Sequence, residues 1–235
     1  MGKANFSVET FASRLVKVAM VVVLLPLAVS LLEGFLSQLD VISLSGATFG
    51  QWIVWGFQTY VGIHLLLYRP VPVFKASHRL FSTIAVWLFG GHVASTEASK
   101  GGKGAKAEGV AQGSTLVAFS PYVIPLYTIL VCVAGWLAAK WVDRSWVDGP
   151  AAFLIGVTIA FHWLMTADDL QAQRERWHVE AYLLAIGLVF VLTLLVGGSA
   201  LPLTVPGFSF VQALAEGMSR AQAFYSTLVQ ELFFR

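Results

Sequence analysis

Long uncharged runs alternate with short polar ones along this chain of 235 residues. Residues 18–32, 51–68, 80–93, 115–139, 149–167 and 181–201 are apolar, and charges cluster between them. A helix crosses a ~30 Å hydrocarbon core with about 20 mostly apolar residues. The pattern therefore predicts an all-α protein, a polytopic membrane helix bundle of about six membrane segments, over residues 18–206. The short run is 80–93. Its 14 residues cover only about 21 Å as a helix, so it either spans with help from its flanks or re-enters.

The polar stretches set the expected organisation. Residues 1–17 mix Phe6, Phe11 and Leu15 with Lys3, Arg14 and Lys17, which reads as a short interfacial helix. Residues 37–50 contain no Lys or Arg and suit a non-cytoplasmic loop. Residues 69–79 form a basic hinge with Pro70 and Pro72, expected in the cytoplasm with the N-terminus. Residues 95–114 are rich in Gly and Lys and read as a flexible, solvated loop. Residues 140–148 and 168–180 read as polar connections. If all six runs cross, ten of the fifteen Lys and Arg lie on the N-terminal side; if 80–93 re-enters, eleven do. The charge rule does not separate these two arrangements.

The C-terminal stretch, 207–235, follows another rhythm. Val211, Leu214, Met218, Ala221, Tyr225, Leu228 and Leu232 fall at alternating spacings of three and four. That is the narrow seam of an amphipathic helix. It either folds against its own bundle or binds a partner subunit through Val211, Leu214, Met218, Tyr225, Leu228 and Leu232.

Composition agrees with a lipid-embedded chain. Hydrophobic residues make up 57% and charged residues 12%, about half the charged share of soluble domains. The expected location is the cell's inner membrane, with the N-terminus cytoplasmic. The net charge of +2 carries no nucleic-acid signal. The single cysteine, Cys132, excludes a disulfide within the chain. No phosphate-loop, dinucleotide or haem-attachment motif is present, and no cofactor is predicted. The 8 Trp and 17 Phe fit contact with lipid, and equally with pigments or quinones.

Candidate chemistry centres on SHRLFSTIAVWLFGGHV, residues 77–93. Together with FSPYVIPLYTIL (119–130) and FHWLMTADDLQ (161–171), it resembles the site-2-type intramembrane zinc metalloproteases, in order, over roughly residues 50–200. In that family two histidines at i and i+4 reach one zinc, and the glutamate between them is the general base. By this resemblance His78 matches the first ligand. Arg79 stands at the base position and Ser82 at the second-ligand position. A guanidinium cannot accept the water proton, and serine is a poor zinc ligand. The motif is degenerate, so the expectation is a non-enzyme with no catalytic residues and no metal. His78 and His92 are too far apart on one helix to share an ion, and no spacing joins His78 to His162 and Asp168.

Ionisable groups at membrane depth are functional candidates by default, because burying them is costly. His64, His162 and Asp168 are the possible intramembrane polar sites. The leading expectation is a non-catalytic accessory or assembly subunit of a larger membrane complex, on a degenerate protease-like scaffold. Its partners would be membrane lipids and other membrane protein subunits. The alternatives are an active zinc protease with a non-standard ligand set, and a small transporter or proton-conducting protein.

Overall fold

The computed structural model describes residues 8–44, 46–66, 70–89, 121–172 and 178–233. Helix α1 runs unbroken from Val8 to Asp40. The expected interfacial segment and first span are thus one helix from Val8 onward. Pro26 lies inside it; a proline removes one backbone donor, which a packed membrane helix tolerates.

The chain then reverses through a small antiparallel hairpin of β1 (Ser43–Leu44) and β2 (Ala47–Thr48). Gly46 sits at the tip with φ 85°, a left-handed conformation that favours glycine. Thr48 and Gln51 then open α2 (Phe49–Leu66) reciprocally. Thr48 Oγ1 accepts from the Gln51 amide, and Gln51 Oε1 accepts from the Thr48 amide, both at 3.1 Å. This is a capping box, and it satisfies two donors that a helix start leaves orphaned.

Helix α3 covers Val71–Phe89. The basic hinge is therefore mostly helical, with Pro72 in the first turn, where a missing N–H costs nothing. Helix α4 is only Leu126–Ala138. Helix α5, Arg144–Ala172, is longer than expected at both ends. Its early start follows from Asp143, whose carboxylate accepts the Ser145 amide at 2.9 Å as an N-cap. That amide, then the Ser145 hydroxyl, holds the Asp143 carboxyl below the usual range. At the other end Leu170 is buried and keeps the helix seated past Asp168 and Asp169. Helices α6 (Val179–Thr204) and α7 (Phe210–Phe233) complete the fold. The glycine- and lysine-rich loop, 95–114, lies outside the described residues.

Among the described residues three helices, α1, α5 and α6, are long and apolar enough to cross a membrane. By length and composition the chain is a membrane protein. Helix α2 carries two glutamines and a histidine, and α4 has 13 residues.

The bundle is built from tightly joined pairs. Helix α2 runs parallel to α5, with Trp52 near Gly149 and Tyr60 against Phe161. Helix α1 runs parallel to α6: Arg14 pairs with Glu180 at 3.4 Å, Leu24 lies by Gly187, and Phe35 packs on Gly198. Helix α7 descends antiparallel along α1, from Ser37–Glu216 to Val23–Tyr225. Helix α4 is tied to α6 by the Thr204 hydroxyl, which donates to the Cys132 carbonyl at 2.5 Å. Phe35, Phe49, Ile53, Ile155 and Val205 join these pairs in one core near the hairpin end.

Candidate functional site

His64, His162 and Asp168 lie toward the opposite end, which also holds the start of α1. The backbone facing His162 breaks at Pro125. Residues 121–123 make one helical turn, the helix is interrupted at 124–125, and α4 begins at Leu126. Proline has no N–H to continue the ladder. The Tyr122 carbonyl instead meets two side chains: His162 Nε2 of α5 at 2.9 Å and the Thr193 hydroxyl of α6 at 3.3 Å. Broken backbone inside a membrane bundle needs such substitutes, since lipid supplies none. The Tyr122 hydroxyl donates to Asp169 Oδ2 at 2.6 Å. His162 is thus a buried residue that carries a break in the backbone.

His64 plays another part. It is 7% exposed, in the last turn of α2. Its Nε2 lies 3.4 Å from Asp168 Oδ2 of α5. That is an ion-pair distance, longer than a good hydrogen bond. Tyr60, one turn earlier, stacks obliquely on the imidazole with centroids 5.8 Å apart. Three buried polar atoms of this neighbourhood, His64 Nδ1, Tyr60 Oη and Thr166 Oγ1, have no hydrogen-bond partner among the described residues. Buried groups are normally paired; Trp52 Nε1, Asp148 Oδ1 and Trp163 Nε1 elsewhere in the bundle are unpaired among the described residues too.

Beside it lies a cavity of about 350 Å³ between α3 and α5. Lys75 and Arg79 of α3 and Asp168 and Asp169 of α5 line it, with Phe74 and Met165 on its apolar side. The site therefore places two cations and two carboxylates around one space.

Of the sequence candidates, the fold brings His64 and Asp168 together and seats His162 nearby on Tyr122. Their 104-residue separation hid the first pairing. Arg79 lines the cavity with the acidic pair. His78, Arg79 and Ser82 all fall on α3, but the His78 and Ser82 side chains lie outside the described residues. Among the described residues no three His, Cys, Asp or Glu side chains converge as metal ligands do. Tyr60, Tyr122 and Lys75 were missed, because aromatic and basic residues near a membrane surface usually need no special account.

The C-terminal seam divides. Leu214 packs with α1 and α6, and the Tyr225 hydroxyl donates to the Val23 carbonyl. Val211, Met218, Leu228 and Leu232 are exposed. The face that seats α7 is instead the small-residue row Ala213, Gly217 and Ala221, all buried. A β-carbon on Gly34 of α1 would lie 2.5 Å from the Ala213 carbonyl. This close approach is the small-x3-small packing of membrane helices. Arg220 then clasps Glu216 at 2.6 Å and Glu33 at 3.6 Å, while Ser37 donates to Glu216 at 2.7 Å. Arg220, then Ser37, holds the Glu216 carboxyl below its usual range.

No family model, curated protein or solved structure matches this chain.

Proposed function

We propose that the protein is a small membrane transporter or proton-conducting protein, with the His64–Asp168 pair as its proton-handling site. The observation that carries this reading is a buried histidine held 3.4 Å from a carboxylate beside a charged cavity. In this reading His64 would take a proton from one side of the membrane and release it to the other, and the imidazolium would pair with the Asp168 carboxylate in between. Two further features support it. An ionisable side chain buried in a membrane protein is a functional candidate by default, and His64 is one. Interrupted helices, such as the break at Pro125, are how transporters bring polar backbone to a site.

The reading includes a topology. In this topology 80–93 re-enters rather than crosses, a reading that the parallel run of α1 and α6 supports. The N-terminus, the His64 site and most loop cations then share the cytoplasmic side of a cell membrane.

The test is proton flux into liposomes loaded with a pH-sensitive dye and driven by a potassium diffusion potential. Wild-type protein should acidify the lumen, and His64→Ala should abolish that flux while keeping its thermal unfolding profile. Flux unchanged in His64→Ala, or absent from the wild type, removes the reading.

One observation favours a second reading, an accessory subunit of a larger membrane complex. The outer face of α7 leaves Val211, Leu232 and Phe233 at 72%, 69% and 75% exposed. Asparagine at Val211 and Leu232 should then release the chain from a larger native assembly in mild detergent. A native mass equal to one chain would count against it.

A further inference from the structure

A second cavity, of about 340 Å³, lies deeper in the bundle and away from the charged one. Its origin is the pairing of helices. Gly56 and Gly156 draw α2 onto α5, and Gly198 draws α6 under the Phe35 ring of α1. Each pair closes tightly, and the seam between the two pairs does not. Leu32, Leu36, Phe57 and Trp163 are among the walls. No charged side chain lines the space, and its polar groups are Gln58, Thr193 and the indole N–H of Trp163, which has no hydrogen-bond partner among the described residues. The Thr193 hydroxyl is already committed to the Tyr122 carbonyl.

Water does not suit such a space, because each molecule needs two to four polar partners. An apolar guest does suit it: an apolar cavity of about 150 Å³ stays dry and takes up benzene, and this one is more than twice that size. The cavity reaches the surface between α1 and α2 at Val54 and Gln58, both exposed. Helix α1 is long and apolar enough to cross the membrane, so the medium at this mouth is hydrocarbon. Leu32 to Leu39 along α1 covers about 10 Å, room for part of one extended chain. A free fatty acid would bring a carboxylate with no cation to meet it.

We infer that this cavity binds one acyl chain of a bilayer phospholipid, inserted sideways between α1 and α2 with its headgroup left outside. The site is independent of the His64 pair.

Two measurements on the full chain test it. In the first, protein extracted in mild detergent and washed is weighed intact in the gas phase, and its lipid is identified by mass spectrometry. One phospholipid per chain is expected, falling at least fivefold in the mouth-filling variant V54F/L36F. In the second, wild type and Trp163→Phe are compared in vesicles of phosphatidylcholine brominated in mid-chain. Bromine quenches on contact, so the emission that Trp163 contributes should be lost in brominated vesicles and kept in plain ones. This arm needs no cavity-filling variant and stands if V54F/L36F fails to fold. A Trp163 contribution unaffected by bromine overturns the proposal. So does retention of a quinone, a free fatty acid or detergent alone in place of phospholipid.

Discussion

Gly56 of α2 and Gly156 of α5 meet at one helix crossing, and each leaves the other helix's backbone in the space its own β-carbon would need. Between membrane helices there is no water to expel, so association rests on close packing. That crossing also sets the register of the site, since His64 lies two turns beyond Gly56 and must meet Asp168. Gly56→Val and Gly156→Val should each destabilise the bundle by about 1–3 kcal/mol or more. Thermal unfolding in detergent reads this, with Gly62→Ala as control, since nothing lies within 4 Å of a β-carbon there. Equal melting of all three would refute the account.

Helix α7 is held by a different contact. Gly34→Leu should push α7 off α1, because the added side chain meets the Ala213 carbonyl and the Gly217 backbone. Limited proteolysis should then cut within 210–233 at least tenfold faster while α1 to α6 stay protected. Uniform protection would mean α7 does not depend on that approach.

The clasp around Glu216 predicts a pH response of known sign. Its folded-state pKa lies below the ordinary 4.5. The stabilisation is therefore complete above that ordinary value and is lost as pH falls through the lower folded value. Proteolytic protection of α7 should weaken on acidification below about pH 4.5 in the wild type. Glu216→Gln should flatten that dependence. The pair is exposed, so salt should weaken the effect.

His162 and His64 should separate by readout. His162→Phe removes the Nε2 bond to the Tyr122 carbonyl and should lower stability by about 1–3 kcal/mol. His64→Ala should leave the melting temperature within a few degrees and act on flux. Loss of stability in His64→Ala alone would make the His64–Asp168 pair structural.

Pro125 and the Thr48–Gln51 pair show how legible the fold was. The helix is interrupted at 124–125, where Pro125 lacks an N–H. What receives the Tyr122 carbonyl was not readable, because His162 and Thr193 come from helices 40 and 71 residues away. The Thr-x-x-Gln start of α2 was present in the sequence and overlooked. The loop at 140–148 was read too long, since one aspartate N-cap suffices to begin α5 at Arg144. At the C-terminus the alternating seam drew attention to bulky residues. The packing face proved to be Ala213, Gly217 and Ala221, because helices in lipid gain most where small side chains let backbones approach.

The sequence by itself determined the class of the molecule, a helical membrane protein, because composition and run length answer directly to the thickness and polarity of a bilayer. It also singled out His64, His162 and Asp168 as possible intramembrane polar sites. Only the tertiary structure decided what each does. Helix direction and crossing point depend on glycine contacts between distant segments, and those contacts bring His64 to Asp168, seat His162 on a broken helix and leave a cavity of about 340 Å³ between two tight pairs. Hydropathy is a property of one segment at a time. Pairing is a property of two, and spacing along the chain does not encode it.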